Sequence, residues 1–294
     1  MERRKLPGFT KRAPVVNGIF YPDNREVLIR QLKSWGLKEG STGYWKQSLE
    51  TRFPAASAIL APHGAWDLSG SVAGTAFAEI QKDPSTIIDR VLLLGTIHNR
   101  TEEGIYLSES AFFETPLGDL PVDGKLNEEL ASCSPNIKIY DIPHLSEHSL
   151  EVLLPMVKYC FPSARIVPLL MAGSKSSLIS CLAKTLGLVL EKYMEKSLFV
   201  ISSNVSCNPD PVLALSLAQE FCSLVTDRDV RNYLGRLAAG HISACGGALV
   251  GALFESGLLG SKLFSALCPL TQAREENGET VYYCAFNAQL SEYT

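Results

Sequence analysis

From residue 57 onward, short unbroken apolar runs alternate with longer stretches of helical periodicity. Ser57–Pro62, Asp89–Thr96 (with VLLLG at its centre), Ala164–Met171 and Ser197–Ser203 have the length and richness of strands buried on both faces. Between them, Ser69–Gln81, Ser149–Tyr159 and Ser174–Met194 read as helices, with Pro155 a point of kinking in the second. Gly104–Ser108 and parts of Phe112–Val122 look like short extended pieces, and Lys125–Ala131 like a short helix. Residues 210–239 read as helix in two pieces. His241–Ser256 reads as a helix led by a Cys-Gly-Gly turn, and Leu263–Leu270 and Thr280–Leu290 as closing strands. Upstream, Asp23 or Asn24 can cap a helix over Arg25–Trp35 that Gly36 ends. Residues 1–23 form an arm, and 37–54 a polar loop or short helix.

Apolar strands alternating with helices predict an α/β fold with helices on both faces of a mixed, mainly parallel sheet. With 294 residues, no internal repeat and no convincing linker, a single domain over 1–294 is expected. Net charge is −4, and no long basic run occurs, so neither nucleic acid nor a membrane surface is an expected partner. The basic N-terminus lacks an apolar run behind it, and the greasy segment Ala244–Leu259 is interrupted by Gly246, Gly247 and Glu255. A cytoplasmic location follows as the expectation. The eight cysteines are scattered with no CxxC pair and read as mostly buried thiols.

Ligands of open α/β sheets gather beyond the carboxyl ends of the strands. Three strand ends carry polar side chains: Pro62-His63-Gly64, Gly95-Thr96-Ile97-His98-Asn99, and Ser202-Ser203-Asn204-Val205-Ser206-Cys207. One histidine in such a place reads as a loop residue bonded to nearby backbone. Two, on separate strand ends, bring a shared site level with that reading. Thirty-five positions separate them, a strand–helix–strand length that predicts neighbouring strands. Cys245, in HISACGG, precedes a helix start whose positive dipole end favours a thiolate. Two neutral imidazoles and a thiolate make a set of three that leaves positions open on a metal. Alone, Cys245 reads rather as a small apolar residue, with the glycine pair letting the helix pack closely. His148, in SEHSLEVLLP, lies near a helix start and either lines a pocket or is solvated; His144 and His241 read as structural or exposed.

These stretches together resemble the Memo family (mediator of cell motility), whose prokaryotic members are often called AmmeMemoRadiSam system protein B. RAPVVNGIFYP, ILAPHGAWDLSG, VLLLGTIHNR, FETPLGDLPVD, EHSLEVLLP, RIVPLLMAG, LFVISSNVSC and SACGG resemble the family's segments in order and spacing. The resemblance implies a three-layer α/β/α fold similar to class III extradiol dioxygenases (LigB-like). It also implies a redox metal, copper or iron, held by His63, His98 and Cys245. Two departures stand out. The family's paired histidines become His98-Asn99, and its Ser-Ser-Asp segment with a following histidine becomes Ser202-Ser203-Asn204 with Cys207. Asn204 cannot carry a proton, and a thiol with an ordinary pKa of about 8.5 matches an imidazole poorly, so extradiol chemistry is not expected. If Cys207 faced the same point, an N2S2 set suited to zinc or Cu(I) would result.

The resemblance implies a metal-dependent redox protein or oxidoreductase, with Asn204, Cys207 and His148 as candidate catalytic groups around the metal. The alternative is a non-catalytic adaptor that binds a peptide, a small molecule or radical-SAM system partner proteins through the cavity. A third reading is a cysteine-nucleophile hydrolase with Gly246-Gly247 supplying oxyanion donors.

Overall fold

The computed structural model describes residues 10–40, 57–82, 87–99, 102–193, 196–227, 229–259, 264–275 and 277–289. The expected loop over 37–54 and the start of the Leu263–Leu270 strand fall largely outside them. The main sheet has eight strands: β1 (Ser57–Ala61), β2 (Arg90–Thr96), β3 (Gly104–Leu107), β4 (Ile137–Ile139), β5 (Arg165–Ala172), β6 (Ser197–Ser202), β7 (Ser265–Ala266) and β8 (Phe286–Gln289). Their spatial order is β7-β8-β1-β6-β2-β5-β3-β4. The central four, β1, β6, β2 and β5, are mutually parallel, while β8 and β3 join antiparallel on either side.

Strand residues alternate between two cores, as the pleat requires. Leu60, Leu92, Val167, Leu169, Phe199 and Ile201 face a layer built from the helices Gly124–Ser132, Ser176–Tyr193, Pro211–Thr226, Val230–Ala238 and Gly247–Glu255. Ile59, Val91, Leu93, Ile166, Leu170 and Val200 face the opposite layer, with helices Arg25–Ser34, Ser71–Ile80 and Leu154–Cys160. The three-layer α/β/α expectation therefore holds. Each fully buried aliphatic contributes about 1.5–3 kcal/mol relative to exposure, and both faces supply many. Among the described residues no helix is long and apolar enough to cross a membrane.

Local signals set the helix boundaries. Asn24 caps Arg25–Ser34, Asp123 caps Gly124–Ser132, and Asp210 and Asp229 cap the two pieces of the 210–239 segment. Pro155 does not kink a long helix. A 3-10 turn over Glu151–Leu153 passes into the α-helix at Leu154, and Pro155 occupies its first turn, where a missing N–H costs nothing. The helix expected over His241–Ser256 begins only at Gly247, because Cys245 and Gly246 are held by strand-end groups described below. A π-turn over Trp66–Gly70 precedes the helix Ser71–Ile80.

The sequence spacing misplaces one pair: β1 and β2 are not neighbours, since β6 lies between them and pairs in parallel with both. A crossover of that length fixes handedness, not adjacency, and a strand arriving a hundred residues later takes the central place. Two smaller sheets complete the fold. Lys11–Arg12, Phe112–Phe113 and Leu120–Pro121 form one. Ser206–Asn208, Thr280–Tyr283 and Thr271–Arg274 form the other, of which the first and third strands are too short or too polar to announce themselves. The Thr280–Leu290 run breaks at Cys284-Ala285 and serves both this sheet and β8.

Candidate metal centre

His63 follows β1, His98 follows β2, and Ser203-Asn204 follow β6 between them. The intervening strand sets the histidine-bearing ends about two strand spacings, roughly 10 Å, apart, and their rings turn inward until the centroids are 5.1 Å apart. Cys245 arrives from the segment before the Gly247–Glu255 helix. Its Sγ lies 3.3 Å from His63 Nε2. One ligand atom each from His63, His98 and Cys245 falls within 4.8 Å of the others.

Hydrogen bonds fix which nitrogen of each ring is free. The Ser202 hydroxyl donates to the Ser149 carbonyl, so its oxygen is left to accept, at 2.8 Å, from His63 Nδ1–H. His63 Nε2 then faces the Cys245 sulfur. His98 Nδ1–H donates to Glu147 Oε1 at 2.9 Å, while the His98 backbone N–H donates to Oε2 at 2.7 Å. Both rings thus turn Nε2 inward, as metal-binding imidazoles do when a partner holds the other nitrogen. Glu147 is itself buried and accepts from the Ser149 backbone N–H at 2.8 Å.

Cys245 sits in a cradle of donors. The Asn204 backbone N–H donates to its Sγ at 3.0 Å, and Thr96 Oγ1 donates to its carbonyl at 2.7 Å. Gly246 N–H donates to Ser203 Oγ at 2.8 Å. A Cβ on Gly246 would lie 2.6 Å from Ser203 Cβ and 2.9 Å from the Ser202 carbonyl oxygen, so only glycine lets the chain pass this close.

The electrostatics follow from this packing. Burial disfavours the Cys245 thiolate, but His63 and His98 outweigh it and hold the thiol well below its ordinary range. Burial pulls His98 down, but the hydrogen bonds of Cys245 and Glu147 raise it to about 10. Burial likewise opposes ionisation of Glu147, and His98 reverses this, lowering it to about 2.

The other sequence candidates take different places. His148 stacks on His98 at 4.8 Å between centroids and meets Phe20 edge-on; burial, then the neighbouring His63, push it down to about 4, so it is neutral near pH 7. Asn204 serves through backbone N–H and through Oδ1, which accepts from the His63 backbone at 3.2 Å. Cys207 lines the same cavity but lies outside the converging trio. Its thiol donates to Glu279 Oε2 at 3.2 Å, and burial with that carboxylate pushes it up to about 12. The N2S2 set is therefore not formed, because the second small sheet turns Cys207 toward Glu279. The oxyanion donors of the hydrolase reading are also committed, Gly246 N–H to Ser203 and Gly247 N–H to the Ala244 carbonyl. His144 is buried and faces the Tyr106 carbonyl; His241 is exposed.

All of this opens on a cavity of about 630 Å³. The N-terminal arm supplies one wall through Ile19 and Phe20, the π-turn supplies Leu68, and the 271–283 hairpin supplies Glu275, Asn277 and Glu279. Sequence reasoning missed these, and it missed Glu147 and Ser202 as orienting partners. An acidic residue directly before His148 in an apolar run was the available signal for Glu147.

The fold and the strand-end cavity define a three-layer α/β protein with a His/His/Cys cluster able to hold a metal ion. A family model described as "Memo-like protein" matches residues 12–255, and the chain belongs to that family. It is 26% identical over 239 residues to a MEMO1 family protein of Thermotoga petrophila, covering 80% of this chain and 84% of that one. A MEMO1 family protein of Desulfurococcus amylolyticus is 33% identical over 181 residues, covering 60% of this chain and 62% of that one. The protein memo-1 homolog of Caenorhabditis elegans is 34% identical over 191 residues, 64% of this chain and 50% of that one. An uncharacterized protein, JW3007, from Escherichia coli K12 shares the fold at a TM-score of 0.52 and 14% identity, covering 79% of this chain and 99% of that one.

Proposed function

We propose that this Memo-like protein holds one transition-metal ion through His63 Nε2, His98 Nε2 and Cys245 Sγ, and that the ion is redox-active copper or iron. The observation that supports this most directly is the pair of locked tautomers: Ser202 and Glu147 each occupy Nδ1 and leave both Nε2 atoms facing one thiolate-prone sulfur. The spread of up to 4.8 Å needs only small side-chain rotations to reach the roughly 3–4 Å between ligands of one ion. When bound, the ion would supply electron transfer or a site for a small oxidant; the protein positions it, and the thiolate biases it toward softer metals. Without metal, His98 holds its Nδ1 proton toward Glu147 and a second proton on Nε2 toward Cys245; a metal ion displaces the Nε2 proton, so affinity rises with pH. Metal content by plasma mass spectrometry on anaerobically purified protein tests the reading. One equivalent of copper or iron in wild type, lost in the His63→Ala/Cys245→Ala variant with the fold intact, is the expected outcome. A folded wild type that takes up no metal under reducing conditions overturns it.

A second reading, an interaction protein using the same cavity, draws support from Asn204 and from Cys207 held as a neutral thiol, neither of which exchanges a proton near pH 7. Steady turnover of oxygen with a reductant by the loaded protein would count against it.

A further inference from the structure

We propose that the Glu275–Glu279 wall of the cavity is a subsite for an amine: an ammonium group carried on an apolar or aromatic body. The inference rests on the cavity being a functional site, as proposed above, but not on which metal it holds. Both carboxylates line the cavity, and among the described residues no Lys or Arg lines it with them. Every ion pair among the described residues leaves Glu275 and Glu279 without a cationic partner. Glu279 Oε2 accepts from Cys207 and, at 3.0 Å, from Asn277 Nδ2, which orients it without neutralising it.

An independent observation points to a polar ligand atom. Tyr283 is fully buried, yet its hydroxyl has no hydrogen-bond partner among the described residues. It ends at the Gly64 stretch of the cavity wall, 2.7 Å from the place a Gly64 Cβ would occupy. The Ser243 hydroxyl, on the same cavity, is likewise unpartnered. Buried polar atoms are rarely left unpaired by protein, ordered water or a ligand, and these two stand at the cavity.

The chemistry of that visitor is constrained. A second metal ion is disfavoured, since Cys207, Glu275 and Glu279 do not converge as a group of metal-ligand atoms among the described residues. A phosphate or carboxylate would face two acidic side chains. An ammonium would be attracted by both, and Phe20, Leu68 and Ile19 line the same cavity as apolar surface for its hydrocarbon body.

Calorimetric titration with phenethylamine tests this, with 3-phenylpropionate as the anionic counterpart of similar shape. Wild-type protein is expected to bind the amine saturably and the acid at least about tenfold more weakly. Glu275→Gln and Glu275→Gln/Glu279→Gln are expected to weaken amine binding at least about tenfold while thermal melts stay near wild type. Glu275→Gln serves where the double variant loosens the hairpin. Chelator-treated wild type is expected to keep amine binding, so failure of the metal proposal, read from metal content, is separable from failure of this one. Absent amine binding by wild type, equal binding by the Gln variants, or equally tight binding of the acid would each overturn the subsite. A second equivalent of divalent metal, lost in the Gln variants, would do the same.

Discussion

Neither the Ser202 hydroxyl nor the Glu147 carboxylate lines the cavity, yet they decide which edge of each imidazole is presented to it. Ser202→Ala frees His63 to rotate or to protonate Nε2, and Glu147→Gln removes the charge and one of the two acceptor oxygens that hold His98. Each is expected to lower metal affinity about 10- to 100-fold with little change in fold, read by competition titration against a chromophoric chelator. Unchanged affinity in both would mean the tautomers are set elsewhere. His144 gives a pH prediction free of the metal centre. Burial lowers it to about 4 from an ordinary 6.5. Its folded form therefore favours the neutral ring, and between pH 6.5 and 4 the unfolded chain takes up a proton that the folded chain does not. Stability is expected to fall across that window as pH drops. Thermal melts of wild type and His144→Gln should converge toward pH 4, and parallel curves would remove His144 as the cause. At this scale the sequence was informative about ligands and silent about their partners. His63, His98 and Cys245 stand at strand and helix ends, visible as punctuation after apolar runs. Ser202 and Glu147 reach them across 139 and 49 residues of chain, a relation that no local pattern carries.

Among elements, the tightest junction is where the segment before the Gly247–Glu255 helix passes the end of β6. Gly246→Ala would force a Cβ against Ser203 and the Ser202 carbonyl. The chain must shift, at about 1–3 kcal/mol, and the shift moves Cys245 directly. A lower unfolding midpoint together with weakened metal uptake is expected; a variant with normal stability and normal uptake would show that the backbone relaxes freely. The central strands were legible because burial on both faces makes them continuous apolar runs. Their order was not, since parallel pairing is settled by long-range packing. The short strands Ser206–Asn208 and Thr271–Arg274 escaped for the same reason: three and four residues carry no period, and only partners elsewhere make them strands. Those strands bring Cys207 and Glu279 together, so the misread element and the unforeseen cavity wall have one origin.

At the scale of the molecule, the N-terminal arm is tied to the site by a buried ion pair. Arg12 pairs with Glu151, and Arg12 also donates to the carbonyls of His144 and Glu147 at 2.9 Å each. Glu151 in turn accepts from the backbone N–H groups of Val15 and Val16 and from the Tyr21 hydroxyl. Removing one partner leaves an uncompensated buried charge, so Arg12→Ala is expected to cost about 3–5 kcal/mol, and Arg12→Met/Glu151→Leu less than the two single changes combined. Urea melts of the three variants measure this, and additive losses would argue against a coupled pair. The placement of β6 between β1 and β2 has a consequence for how the protein is made. During synthesis His63 and His98 emerge long before the strand that seats between them, and Cys245 follows later still. A nascent chain therefore has no three-ligand site to offer passing cations. An ion held by this trio would be taken up only once the sheet is finished, from what the cell supplies at that moment, not from the first metal the ribosome-bound chain meets.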